Sequence, residues 1–155
     1  MDKLELKVPP VVVVLVVATL MWLIARLAPE LVVDIPRETR RVVSVLFVVG
    51  GAFFALAGVW SFRKAQTTVN PTRPDASSSV VTTGIYRVSR NPMYVGMLLV
   101  LIGWVFYLSN WLALLGLPLF VRYMNRFQII PEERILSSKF GGLYQAYCRK
   151  VRRWL

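Results

Sequence analysis

The sequence predicts an all-α integral membrane protein with about four transmembrane helices, the last two a helical hairpin. Three observations carry this. The chain has 155 residues, 56% of them hydrophobic, and a mean hydropathy of +0.56, too apolar for a soluble domain of this size. Residues 8–25, 42–62 and 91–121 contain no charged side chain. The basic residues gather between and after these windows, where they set an orientation. A single membrane-embedded domain, 1–155, accounts for the whole.

A hydrocarbon core of about 30 Å takes roughly 20 helical residues. The first two windows therefore predict one span each, about 8–26 and 42–62. The first lacks a small-x-small cleavage site and runs into Arg26 and Pro29, so it reads as an uncleaved span rather than a signal peptide. The third window would be roughly 46 Å long as one helix, too long for a single crossing. Ser109-Asn110 is a turn-favouring pair inside it. The window thus divides into legs of about 92–108 and 111–130, with a kink expected at Pro118.

Residues 63–90 carry five Lys/Arg and one acid, and the tail from Arg122 carries eight Lys/Arg and two acids. The segment 26–41 carries four Lys/Arg and three acids. The positive-inside rule places the first two groups, and both termini, in the cytoplasm. The expected location is the inner (cytoplasmic) membrane, multi-pass. The net charge of +11 then reflects topology and attraction to anionic lipid, not nucleic acid, whose recognition would want exposed aromatics interleaved with basic residues on a soluble fold.

There is no histidine, and Cys148 is the lone cysteine. Disulfides, His-based acid–base catalysis, Ser-His triads and a His-rich metal site are excluded, and no metal is expected. No Walker-type loop, strand–GxGxxG–helix pattern or internal repeat occurs, which argues against ATP hydrolysis, Rossmann cofactors and inverted-repeat transport.

Chemistry concentrates at the mouth of the hairpin. Residues 66–79 are rich in Pro, Ser and Thr and read as an irregular linker. Val80-Val81-Thr82-Thr83-Gly84 comes next, with a glycine that lets backbone approach a flat ring. Then comes Ile85-Tyr86-x-x-x-Arg90-Asn91-Pro92-Met93-Tyr94-Val95-Gly96. Pro92 suits a first helical turn, with Asn91 as its N-cap and its side chain accepting from that turn. The opened N-terminus favours an anion. Gly96 and Gly103 allow close helix packing. Arg90 and Tyr94 read equally as ligand contacts or as interfacial anchors. In the tail, Arg122 and Arg126 share a helix face, and with Glu132 and Glu133 they bring opposite charges to one level. Tyr144, Tyr147 and Val151 keep helical spacing amid basic residues. That pattern also fits an amphipathic helix on the membrane surface.

Val80-Val81-Thr82-Thr83-Gly84-Ile85-Tyr86-x-x-x-Arg90-Asn91-Pro92-Met93-Tyr94-Val95-Gly96 resembles isoprenylcysteine carboxyl methyltransferases and their phospholipid methyltransferase relatives. So does the later Glu132-Glu133-x-x-Leu136-x-x-x-Phe140-Gly141-x-x-Tyr144-x-x-Tyr147-x-x-x-Val151. The likeness covers about 80–153, the implied catalytic core. It implies an S-adenosylmethionine-dependent methyltransferase with a cytoplasmic cofactor pocket closed by the C-terminal tail. The resemblance makes Val80, Val81, Gly84, Tyr86, Arg90, Asn91, Pro92, Tyr94, Tyr144, Tyr147 and Arg149 cofactor-site candidates. Arg126, Glu132 and Glu133 become catalytic candidates, Arg126 for orienting the acceptor. Many members have His where this chain has Asn91, which cannot titrate near pH 7.

Methyl transfer from a sulfonium is an in-line displacement that needs alignment and dryness. A carboxylate acceptor such as an isoprenylcysteine needs no base. A phospholipid amine must lose a proton, for which Glu132 or Glu133 is at hand. The acceptor is lipophilic in either case, a small molecule or a lipidated partner. Two other classes stay open: a non-catalytic protein whose basic tail binds anionic lipid or a partner, and a membrane reductase of the same superfamily core.

Overall fold

The structure, a computed structural model, describes residues 4–66 and 74–155. Residues 67–73, half of the expected linker, lie outside the described part. Among the described residues every regular element is helical, apart from one isolated antiparallel bridge between Val32 and Asn110.

The first helix, α1 (Pro10–Leu27), begins where Pro10 takes its first position, so the missing N–H is one that no helix would have used. A 3₁₀ turn, Pro29–Leu31, leads to α2 (Arg37–Lys64). This helix is longer at both ends than its apolar window, because the exposed Arg37, Arg41 and Lys64 and the half-buried Arg40 continue it. After the 3₁₀ turn Gly84–Arg87 comes α3 (Pro92–Leu108), with the bounds the sequence predicts for the first hairpin leg. Ser109 closes α3 in the left-handed region at φ 47°. Asn110 then accepts from the Leu112 amide at 3.0 Å and starts a 3₁₀ turn, Trp111–Leu115.

The second leg is not one regular helix. It runs through α4 (Gly116–Tyr123), a π-helical segment (Met124–Ile129) and α5 (Ile130–Phe140). Pro118 falls in the first turn of α4 and starts a helix instead of kinking one. The irregularity sits further on. A helical Pro131 would drive its ring into the Phe127 carbonyl. The widened turn before it avoids this clash, and the freed Phe127 carbonyl accepts from the Leu6 amide at 2.9 Å. A last helix, α6 (Gly142–Lys150), begins after Gly141.

α2 and α3 pack along a seam of small residues: Ser44, Gly51 and Gly58 are buried on α2, and Gly96 and Gly103 on α3. A Cβ on Gly96 would lie 2.5 Å from the Gly51 carbonyl oxygen. The two backbones touch, as the spacing of Gly96 and Gly103 predicts. On the other side Trp104 donates to the Ala18 carbonyl at 3.0 Å, tying α3 to α1. Met21, Leu101, Phe120, Met124 and Ile129 fill the centre.

The chain folds back and forth so that two ends form. One holds the turns at 28–36 and 109–112, joined by the Asn110 side chain donating to Ala28 and by Val33 donating to Ser109. The other holds both terminal segments: the Leu6 amide meets Phe127, and Trp154 donates to Asn125 at 3.1 Å. α1 and α2 are long and apolar enough to cross a membrane, and α3 is apolar with 17 residues. Their outer faces expose Leu15, Leu46, Phe53, Leu56 and Trp60, each at least 60% accessible. In water this would be an aggregation surface; against lipid it is matched to its solvent. The protein is a membrane protein.

Candidate active site

The site is assembled at the end where the termini meet. Gly84 adopts φ +62°, a conformation that a side chain would resist, and so turns the chain across α2. That turn delivers Tyr86 inward, its ring 5.3 Å from that of Phe62 and nearly perpendicular to it. α6 closes over it. The Tyr147 hydroxyl donates to the Tyr86 carbonyl at 2.7 Å, and the Tyr144 ring lies 6.2 Å from that of Tyr147. These tyrosines form a second apolar cluster with Val81, separate from the helical core. The tail is therefore part of the fold, and the surface-helix reading of Tyr144 and Tyr147 is corrected.

The polar half comes from the start of α3 and from α5. Tyr94 donates to Glu132 Oε2 at 3.2 Å. Glu133 receives two arginines: Arg153 as a fork, Nη2 at 2.7 Å and Nε at 3.1 Å, and Arg90 Nη2 at 3.1 Å. Arg90 also donates to the Cys148 sulfur, while its Nε is buried without a hydrogen-bond partner. The backbone completes the lock. The Arg90 amide donates to the Arg152 carbonyl at 3.0 Å, and the Asn91 side-chain amide donates to the Arg153 carbonyl at 2.9 Å. Asn91 is at the N-cap, but its side chain does not cap α3; it is turned toward the tail. Ser89 Oγ instead accepts from the Asn91 amide at 3.0 Å.

The two adjacent carboxylates thus live in different fields. Glu133 is neutralised by two arginines. Glu132 has a neutral hydroxyl, and burial pushes its carboxyl from 4.5 up to about 7, against the Tyr94 hydrogen bond and with help from the charge on Glu133. Burial raises Tyr86, Tyr144 and Tyr147 further from ionisation, so their hydroxyls stay protonated. The Glu133 hydrogen bond raises Arg153 and keeps it charged. A pair of acids whose environments pull them apart in this way can divide proton transfer from charge anchoring.

These groups line a small cavity of about 60 Å³. Of the candidates, Val80, Val81, Tyr86, Arg90, Asn91, Tyr94, Glu132, Glu133, Tyr144 and Tyr147 face it. Gly84 and Pro92 are absent from its wall; they shape the turn and the helix start behind it. Arg149 is exposed and also off the wall. Arg126 lines a different, open groove with Pro118, Arg122 and Tyr123, and its guanidinium is 3.9 Å from the buried Glu5 carboxylate. The charges that balance Glu133 are Arg90 and Arg153, not the Arg122–Arg126 pair. Phe62, Ser77, Ser79, Met93 and Leu136 complete the wall. Leu136 carried a signal, four residues after Glu132 on one helix face; the serines did not.

A family profile described as phospholipid methyltransferase matches residues 39–142, which is 104 of the 155 residues. The chain belongs to the phospholipid methyltransferase family. The family match takes in the cavity wall from Phe62 to Leu136 and ends at Gly142, the first residue of α6. A protein from Haemophilus influenzae (strain ATCC 51907 / DSM 11121 / KW20 / Rd), named only as uncharacterized, is 51% identical over 63 residues, 41% of this chain and all of that protein. No solved structure matches. Among the described residues no group of three or more His, Cys, Asp or Glu is placed to hold a metal.

Proposed function

We propose that this protein is an S-adenosylmethionine-dependent methyltransferase acting on a lipophilic amine, a phospholipid headgroup, at the cytoplasmic face of the inner membrane. The observation that carries the reading is the split carboxylate pair in an aromatic-walled cavity at the membrane-protein end where both termini lie. Family membership supports the reaction class.

The residues present fit the cofactor chemically. Tyr86, Phe62, Tyr144 and Tyr147 offer faces and edges for a purine. The buried, unpartnered Arg90 Nε offers a donor for a carboxylate. As it stands the cavity, at about 60 Å³, is smaller than small-molecule sites, which run to roughly 300–1,000 Å³. Entry therefore requires α6 and the tail to swing outward, and reclosure excludes water from the reacting centre.

When bound, S-adenosylmethionine supplies an electrophilic methyl group on a sulfonium. The chain's own work is then proton handling and alignment. An ammonium headgroup is no nucleophile until it loses a proton. Glu132, titrating near neutrality, can take that proton as a carboxylate and become the neutral acid; the Tyr94 hydroxyl, donating to Oε2, steadies the carboxylate before the transfer. Glu133 cannot share this task while Arg90 and Arg153 hold it; it pins the closing tail. A carboxylate acceptor would leave Glu132 without a task, and for this reason the amine is preferred. Four spans with cytoplasmic termini are supported by the meeting of residues 5–6 with 126–134, and of 154 with 125, at one end.

Calorimetry on the detergent-solubilised protein, with S-adenosylmethionine and NADPH in turn, tests the cofactor. Methyl-label transfer to phosphatidylethanolamine tests the acceptor. Binding of NADPH but not S-adenosylmethionine would replace this reading with a reductase, and binding of neither would leave a non-catalytic lipid-associated protein.

A further inference from the structure

At the end of the molecule away from the candidate active site, Arg26 from the last turn of α1 meets Arg37, Arg40 and Arg41 from the first turns of α2 around a polar recess of about 660 Å³. Its inner wall is aromatic. Trp104 and Tyr107 of α3 stack at 5.2 Å with planes 8° apart, and Arg26 lies over the Trp22 ring. The same Trp104 and Tyr107 also form the rim of an apolar groove of about 480 Å³ between α1, α2 and α3, walled by Ala18, Val48 and Leu101 among others. A cationic recess thus opens directly into a dry trough running along the helices.

The charge arrangement is unfavourable as it stands. Arg37, Arg40 and Arg41 stand at the positive end of the α2 dipole, where cations are disfavoured. Glu38 answers one of them, in an exposed contact with Arg41 at 3.2 Å. On the proposed orientation this is also the translocated end, where arginine is ordinarily scarce. An anion resting in the recess would relieve both tensions, and guanidinium forks match phosphate oxygens. The adjoining trough calls for an apolar chain attached to that phosphate, because a free anion would leave the trough empty.

We propose that this recess and groove form a binding site for one anionic glycerophospholipid, its phosphate among Arg26, Arg37, Arg40 and Arg41 and an acyl chain along α1–α3. The site is distinct from the cavity at the other end, so it holds a structural or regulatory lipid and not the methyl acceptor.

Native mass spectrometry of the full-length protein released from detergent, with dioleoyl phosphatidylglycerol or dioleoyl phosphatidylcholine added, provides the test. The wild type should retain the anionic lipid by at least about fivefold over the zwitterionic one. The variant R37Q/R40Q/R41Q should lose the preference, and R63Q/K64Q, at the opposite end, should keep it. Equal loss in both variants would mean general charge attraction and overturn the site. Displacement of the lipid by inorganic phosphate at millimolar concentration would overturn the acyl-chain half. Should the triple variant not fold, acyl-brominated lipids decide on native protein: brominated phosphatidylglycerol should quench tryptophan more than its phosphatidylcholine analogue, and W104F should abolish the difference. Equal quenching by the two lipids would refute the proposal.

Discussion

Glu133 makes the clearest case for a tail that opens and closes. Replacing it with Gln keeps the shape of the side chain and removes its charge. Three contacts change: the two from Arg153 at 2.7 and 3.1 Å and the one from Arg90 at 3.1 Å. Removing one partner of a fully buried ion pair costs about 3–5 kcal/mol, whereas an exposed pair contributes about 0–1 kcal/mol. This network lies between those limits. The Arg90 and Glu133 side chains are 13% and 18% exposed, and Arg153 is 36% exposed. A loss of roughly 2–3 kcal/mol in tail docking results, equivalent to about 30- to 150-fold in its opening equilibrium. Hydrogen exchange reads this directly. The Arg90 amide is bonded to the Arg152 carbonyl, so it is protected only while the tail is down. In Glu133→Gln its exchange should accelerate by that factor, while amides in the middle of α3 stay slow. An acceleration below about threefold would show that the aromatic contacts of Tyr144 and Tyr147 hold the tail unaided, and the electrostatic latch would be wrong.

The same geometry sets further outcomes. Methyl transfer to an amine should rise through about pH 7 as Glu132 ionises, and Glu132→Gln should abolish that rise; a pH–rate profile of both proteins decides it. Because burial raises this acid from 4.5 to about 7, it favours folding least at high pH: the stability it contributes falls between those values, and Glu132→Gln should flatten that slope in thermal melts. Gly96→Ala should lower the melting temperature, by overpacking worth about 1–3 kcal/mol, because its Cβ meets the Gly51 backbone; Gly58→Ala should be milder, because there the neighbour is the flexible Met93 side chain. Asn91→Ala should weaken tail docking by about 1 kcal/mol through loss of the Arg153 carbonyl contact, seen again in Arg90 exchange. For topology, single cysteines at Asp34 and Ser78 should differ, with only the first labelled by an impermeant reagent outside intact cells.

What the sequence reveals depends on whether a feature is local. α3 is legible to the residue, since Pro92 opens it and Ser109-Asn110 closes it, and both are backbone effects written in the residues themselves. Hydropathy makes α2 too short because it marks apolar composition, whereas the helix continues through Arg37 and Lys64. In the second leg Pro118 is the proline that local rules single out, yet it does not bend the helix. The proline that matters is Pro131, and its effect depends on a carbonyl four residues earlier finding Leu6, a partner more than a hundred residues away in sequence. No local pattern encodes that contact, nor the burial of Glu5 beside Arg126 and Arg134.

The candidate site divides on the same line. Tyr86, Arg90, Tyr94, Glu132, Glu133, Tyr144 and Tyr147 are legible because their side chains carry the chemistry and their spacing forms a motif. The bonds that bring them together are not legible, because they run to the carbonyls of Arg152 and Arg153 and to the sulfur of Cys148, and a carbonyl looks the same at every position in a sequence. Arg153 is the instructive residue. As one of four basic residues between 149 and 153 it reads as membrane-surface charge. In the fold it is the fork that neutralises Glu133 and leaves Glu132 without a cation. The difference between the two glutamates, on which the proposed proton transfer rests, therefore comes from the burial of Glu132 and from two cations on Glu133, one of them only two residues from the last. Loss of the Arg153 side chain should leave Arg90 to hold Glu133 and should loosen the docked tail even if the cavity wall stays in place.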